Sequence, residues 1–434
     1  MRRAFLIVAL LAPSTAMAEG RKMTVDDVVR IAVASHPRLA AARSRAEGAH
    51  RMQTSAGARM LPSIVVTEEY QHWDSPFAIA FAVPGAPPGS SPAITARDQN
   101  TNTLAVAASQ PIVGLFRRAE DYKSEARSAE AADAQVRTAE AATREAIEVE
   151  YLRMFQAGAM EQIAQSSESE LGEQIAVTAA QVKAGTLNDV DLLRVKVAQA
   201  NARQQAIMAH VDLTASRAAL LSVIDVPPND ASIEFVEPTS LLGAPAPINA
   251  DREGDAALTA RPEMAQARLA ADAADHRARA RLYGLFPEVS VEGAYTRIDG
   301  QAFAPKNAAF VGVKAEWPIW EWGASFRAGQ AAAALADAAR ADVETQRRQV
   351  LLEVTTRESQ LEARSSAIGL AEQTIASAAE AYRVTDARLR AGAATVTDLL
   401  DAQAALAQAR LNLTRAIYER AVARVQLQRA LGKD

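Results

Sequence analysis

The titratable side chains of this 434-residue chain offer little for bond chemistry. Its histidines, His36, His50, His72, His210 and His276, are scattered and show no metal-ligand spacing. His72-Trp73-Asp74 is suggestive only as a cluster beside a loop. There is no cysteine, hence no disulfide framework, thiolate nucleophile, zinc–thiolate site or lipoprotein anchor. No P-loop, nucleophile elbow or dinucleotide fingerprint occurs. No catalytic, cofactor-binding or metal-binding residue is therefore expected, and the chain reads as a non-enzyme. What remains is a duplicated turn carrying aspartates: Asp191 in one copy, Asp398 and Asp401 in the other. Asp398 near a helix N-terminus favours the helix dipole as an ordinary cap. Repeated around a narrow symmetry axis, the same carboxylates would make rings that favour cations and repel anions.

The turn exists because of the elements on either side of it, and these recur. His36-Pro37-Arg38-Leu39 corresponds to Arg261-Pro262-Glu263-Met264, and Pro62, Ile64, Val66 and Tyr70 correspond to Pro287, Val289, Val291 and Tyr295. A second constant offset relates Pro111-Ile112 to Pro318-Ile319, Ala184-Gly185 to Ala391-Gly392, Asp191-Leu192-Leu193 to Asp398-Leu399-Leu400, and Leu220 to Leu427. The chain is an internal duplication. The change of offset places an insertion between Tyr70 and Pro111, where Pro84-Gly85 and Pro87-Pro88-Gly89 predict a loop at a hairpin tip.

Each half predicts a hairpin, a very long helix, a tight turn and a return helix. Val289, Val291 and Tyr295 alternate with Ser290, Glu292 and Thr296; Val311, Val313, Ala315 and Trp317 alternate with Gly312, Lys314 and Glu316. Such strands suit a transmembrane barrel, apolar outside and polar inside. A soluble hairpin with one buried face gives the same pattern. All four tryptophans, Trp73, Trp317, Trp320 and Trp322, stand at hairpin margins. With Tyr70 and Tyr295 they make a candidate interfacial aromatic belt, where a ring sits in lipid and its polar atom stays wet. Pro-free tracts then run for some 65 to 70 residues, about 100 Å of helix. Each ends at Gly185 or Gly392, the usual C-capping residue.

The predicted boundaries are a signal peptide at 1–18, a first repeat at 19–224, a linker at 225–255 and a second repeat at 256–434. The signal reading rests on Arg2-Arg3, the short apolar run Ala4 to Leu11, Pro13 and the cleavage site Ala16-Met17-Ala18. In the first repeat the strands fall at about 63–73 and 102–111, the long helix at 113–184 and the return helix at 189–224. In the second they fall at 288–297, 310–318, 323–390 and 397–431. Pro227-Pro228, Pro238 and Pro245-Ala246-Pro247 keep the linker from forming a long helix. No later segment reads as a transmembrane helix, because charge interrupts each apolar stretch. The net charge of −5 argues against nucleic acid as a partner.

Four strands per chain leave open edges, which lipid forbids. Eight strands make a barrel filled by its own side chains. Three chains give twelve strands and a lumen, so a conducting membrane protein of this pattern is a homotrimer.

The chain resembles the TolC family of outer-membrane efflux and secretion proteins. The resemblance rests on Ala257-Leu258 followed by Arg261-Pro262-Glu263-Met264, on Phe286-Pro287 entering a strand, and on the run from Ala391 through Gly392, Asp398 and Asp401 to Gln403, continuing to Ala430-Leu431-Gly432. It implies a mainly α fold with a β-barrel portion: a long α-helical barrel below a twelve-stranded transmembrane barrel, formed by a trimer with two repeats per chain. It implies the outer membrane and periplasm as location, outer-membrane lipid as surroundings, and a passive export duct as function. The implied partners are a periplasmic adaptor protein and an inner-membrane pump of RND or ABC type. The turns Lys183 to Asp191 and Arg390 to Asp398 become the periplasmic tip. By resemblance Asp398, Asp401 and Asp191 line the aperture, and Gly185, Leu187, Gly392 and Val396 mark the adaptor-docking turns. Two family residues are absent, a tyrosine where this chain has Leu389 and an arginine where it has Ala394, so Arg390 or Lys183 becomes a substitute link. The rival reading is a periplasmic coiled-coil scaffold or adaptor without a pore.

Overall fold

A computed structural model describes residues 21–81, 84–85, 87, 92–230, 232–243 and 250–433. The signal peptide, most of the Pro-Gly insertion and Pro245-Ala246-Pro247 lie outside the described residues. The elements in order are β1 (Arg21–Met23), α1 (Val25–Ser35), α2 (Pro37–Ala58), β2 (Ser63–His72), β3 (Phe77–Ala80), β4 (Ala93–Pro111), α3 (Gly114–Lys183), α4 (Asp189–Val223), β5 (Ile233–Phe235), α5 (Thr239–Leu242), α6 (Ala250–Ala260), α7 (Pro262–Tyr283), β6 (Glu288–Gln301), β7 (Asn307–Glu316), α8 (Ala324–Arg390) and α9 (Val396–Ala430). The chain divides into two compact units. One holds Ala139–Ala260 and Val350–Asp434 with the N-terminal residues through Ala40; the other holds Ala41–Thr138 and Arg261–Gln349. Each unit draws on both sequence repeats.

The second of these units carries the sheet. Its antiparallel order is β2-β4-β6-β7, so the two hairpins join through β4 and β6, and β3 continues β2's edge along the far end of β4. The insertion expected as loop is therefore partly strand, with Phe77–Ala80 paired to Ala93–Arg97. Register fixes the faces, because paired residues share one. Ile64, Ala108, Gly293 and Val311 form one row and Val66, Val106, Tyr295 and Ala309 the next. The opposite face carries Thr67, Ser109, Ser290, Glu292, Thr296, Lys314 and Glu316. Among the described residues β2 and β7 are the terminal strands.

The other unit is helical, with a small parallel sheet of β1 on β5. Tyr151 on α3 ties that sheet down. It is fully buried, and its single hydroxyl proton is shared between Val236 O at 2.6 Å and Met23 O at 3.0 Å. Phe155 and Phe235 pack on its ring at 5.3 and 5.8 Å. Burial pushes the phenol up to about 12, so it stays a donor. One 18-residue window of α4 reaches a mean hydropathy of 1.2, and Asp212 and Arg217 interrupt its apolar run. Little of the window is buried, and along the helix Val190, Leu193, Val197, Ile207, Met208 and Val211 are exposed.

Candidate functional site

The tip is two helix-turn-helix junctions with the same local chemistry. At the end of α3, Gly185 N–H donates to Val182 O and Thr186 N–H to Gln181 O, both at 3.0 Å. At the end of α8, Gly392 N–H donates to Leu389 O and Ala393 N–H to Arg388 O, at 3.0 and 2.8 Å. Both are Schellman closures, which need a left-handed residue at the turn. Gly185 and Gly392 supply it with φ of 79° and 73°. The return helices then open on capping boxes. Asp398 Oδ2 accepts from Thr395 N–H at 2.8 Å and Thr395 Oγ1–H at 2.7 Å, while Asp398 N–H donates to Thr395 Oγ1 at 3.2 Å. Asp191 Oδ2 accepts from Asn188 N–H at 3.3 Å.

These bonds decide what each aspartate is free to do. Hydrogen bonds from the Thr395 backbone and hydroxyl, with the Arg388 charge nearby, hold the Asp398 carboxyl below the usual carboxylate range. It is ionised, but one oxygen is committed to its own helix. Asp191 is half-buried and likewise faces its cap. Asp401 is exposed and makes no hydrogen bond or ion pair within the described residues. Of the three aspartates it is the one whose carboxylate is uncommitted within the described residues.

An apolar cluster binds the two turns of one chain. Val195, Leu389, Val396 and Leu399 are buried, with Leu187, Tyr382, Ala394 and Leu400 packed against them. Val396, expected at a docking surface, is only 1% exposed and shapes the turn from within; Leu187 is half-buried. Gly185 and Gly392 are exposed. Arg194 is the link that sequence reasoning missed. Its Nη1 donates to Thr397 Oγ1 at 2.9 Å, joining the first turn to the second, and lies 3.6 Å from Asp191 Oδ1. Its position three residues after Asp191, on the same face of one helix, was the available signal. Arg390 instead pairs with Asp386 of its own helix at 2.8 Å, and Lys183 is exposed.

At the sheet, the apolar face from Ala309 to Trp317 spans eight residues of rise, about 26 Å along the strand. That matches the ~25 Å apolar band of a membrane barrel before tilt is taken off. Trp317, Trp320 and Trp322 follow the end of β7; Trp322 is 88% exposed and Trp320 meets it edge-on at 5.5 Å. Trp322 has a φ of 54°, a left-handed backbone that a bulky residue adopts only under constraint, at the reversal from β7 into α8. Tyr70 and Tyr295 are on the apolar face and exposed, each donating its hydroxyl to an asparagine Oδ1 at 2.9 Å, Asn100 and Asn307 respectively. Trp73 departs from the belt. Its indole N–H donates to Thr101 Oγ1 at 3.2 Å on the polar face, and Arg97 stacks over its ring at 3.7 Å. Among the described residues no group of three or more His, Asp or Glu side chains is placed to hold a metal.

A sheet with one lipid-compatible face, one wet face and, among the described residues, two unpaired edges, running on in the chain into single helices of 70 and 67 residues, has the pattern of one protomer of a trimeric membrane duct. The model of the outer membrane efflux protein family matches residues 28–224 and 254–433, and the chain belongs to that family, whose members are outer-membrane transport channels working as homotrimers. It is 27% identical over 173 residues to the outer membrane protein TolC of Vibrio cholerae, a match that takes in 38% of this chain and 40% of that relative's length. The fold matches solved structures more fully. CusC superposes with a TM-score of 0.81 at 18% identity, over 94% of this chain and 92% of that one. VceC from Vibrio cholerae gives 0.79 at 17% identity over 94% and 96%, and the outer-membrane channel OprN 0.79 at 19% over 94% and 90%. The twelve-stranded barrel and long helical barrel belong to that fold.

Proposed function

We propose that three copies of this chain form the passive outer-membrane duct of a tripartite export machine, docked through a periplasmic adaptor to an inner-membrane pump of RND or ABC type. The observation that carries this is the pair of unpaired edges on β2 and β7 flanking a sheet with one apolar and one polar face. Lipid tolerates such a sheet only when it is closed, and symmetry mates close it. The apolar stripe of α4 supports the same assembly, since a symmetry-related chain would cover it. The duct performs no bond chemistry; energy and cargo choice come from the pump.

At the periplasmic end the aperture is lined by Asp401, with Asp398 and Asp191 behind it, each turned to the cap of its own return helix. Gly185 and Gly392 present the turns to the adaptor, while Leu187 and Val396 hold those turns in shape. Trp317, Trp320, Trp322, Tyr70 and Tyr295 meet the lipid boundary. Purified protein reconstituted in a planar bilayer is expected to run as a heat-modifiable trimer and to conduct ions. Asp398→Ala with Asp401→Ala is expected to lower cation selectivity, and unchanged selectivity would remove the carboxylate ring. A water-soluble, non-conducting monomer would overturn the duct and favour the scaffold.

A further inference from the structure

Trp73 and Arg97 are the residues that neither the lipid belt nor the tip accounts for. β2 leaves α2 at Ser63 and runs to His72, so Trp73 lies at the end of the sheet away from the helices. Its backbone N–H still donates to Gln99 O at 2.8 Å, which keeps it in register. Its indole meets Thr101, a residue only 3% exposed, on the polar face shared by Glu69, Gln71 and Thr103. The Arg97 guanidinium covers the ring at 3.7 Å and donates to Ser75 O at 3.2 Å. No carboxylate among the described residues forms an ion pair with it. The β4–β6 ladder slips at this level, between Arg97 and Asn102. Gly300 permits the slip: its φ is 90°, and a Cβ there would meet Asn100 O at 2.4 Å. The offset is thus built into the backbone beside the stacked pair.

We propose that Arg97, held flat on Trp73, is the cationic collar of the duct's distal mouth, a specificity-determining site for anionic solutes. The inference rests on the duct reading above, since the polar face is a lumen only in the closed trimer. Three-fold symmetry then sets three guanidinium groups around the pore. A ring of arginines favours anions, the opposite preference to the tip carboxylates. Stacking on an indole preserves the charge while restricting its position, and arginine suits that geometry better than lysine.

The test uses the trimer in a planar bilayer under potassium chloride, with pyrophosphate as the probe. In the wild type, pyrophosphate added on the distal side is expected to block current at several-fold lower concentration than from the tip side. Block without this sidedness overturns the collar whatever the variants do. Arg97→Gln is expected to lose the distal block and to shift the reversal potential toward cations. Arg97→Lys is expected to keep part of the block, and Trp73→Leu to weaken it while leaving the charge in place. Distal block unchanged in Arg97→Gln shows that Arg97 only staples the chain reversal after β2, which refutes the proposal. A wild-type trimer that passes no current overturns the duct itself, an outcome distinct from conduction with unaltered block.

Discussion

Tyr151→Phe isolates one hydroxyl at the joint between the N-terminal strand and the linker. The ring fits the same space between Phe155 and Phe235, so no cavity opens. Two acceptors change state. Val236 O loses a donor at 2.6 Å, and Met23 O keeps only the Val236 N–H at 3.0 Å. Val236 is 39% exposed, so water can replace the lost donor, and the cost is the net worth of one hydrogen bond, about 0.5–1.5 kcal/mol. The cost falls on β1 and β5, three residues each, whose Met23, Ile233 and Phe235 remain buried in the cluster with Val28, Leu220 and Ile224. At about 1.4 kcal/mol per tenfold, their local opening becomes roughly 2- to 12-fold more frequent. Amide hydrogen exchange followed by mass spectrometry reads this directly. Peptides covering Arg21–Met23 and Ile233–Phe235 should exchange faster by that factor, and those from β4 and β6 should not change. Equal exchange in the small sheet would show that the hydroxyl is not its tether. Uniform acceleration everywhere would show a global effect and refute the local reasoning. Alkali gives an independent check. The folded phenol titrates at about 12, above the ordinary tyrosine value of 10, so the stability it confers is complete below pH 10 and is lost as pH rises toward 12. In the phenylalanine variant that alkaline loss should shrink.

Four further outcomes follow from the tip and the distal bulge. Leu399→Ala empties a fully buried position in the apolar cluster joining the two turns; a loss of about 2–5 kcal/mol in local stability is expected, read as protease nicking near Gly392. Thr395→Ala removes the cap of α9 and should cost about 1 kcal/mol, seen as faster exchange at residues 396–400 and nowhere else. Because the Asp398 carboxyl titrates below its ordinary value in the folded tip, its contribution is present above the ordinary carboxylate range and lost as pH falls through the depressed value. Tip proteolysis should therefore rise on acidification in the wild type and respond less in Asp398→Asn. Gly300→Ala places a methyl group against Asn100 O and should lower the yield of folded trimer, whereas Gly48→Ala, with open space around its Cβ, should not.

Much of this fold was legible without coordinates because its signals are local. Strand alternation, Pro-free tracts and glycine at each turn are properties of a few neighbouring residues, and the duplication repeats them. The tip carboxylates were legible as candidates for the same reason, since Asp191 and Asp398 stand in equivalent turns. Their division of labour was not. Thr395 three residues before Asp398 has capping-box spacing, but that Asp398 closes on the threonine hydroxyl while Asp401 makes no bond among the described residues is decided by side-chain directions.

By itself, then, the sequence determined a duplicated, mainly helical chain with two amphipathic hairpins and the family to which it belongs. Only the tertiary structure decided that β4 of one repeat pairs with β6 of the other, that Tyr151 gathers β1 and β5, that Arg194 reaches Thr397, and that Trp73 turns to the wet face under Arg97. Each of those contacts joins residues with no local spacing rule between them, except the last, where a one-residue change of parity moves a tryptophan from lipid to lumen.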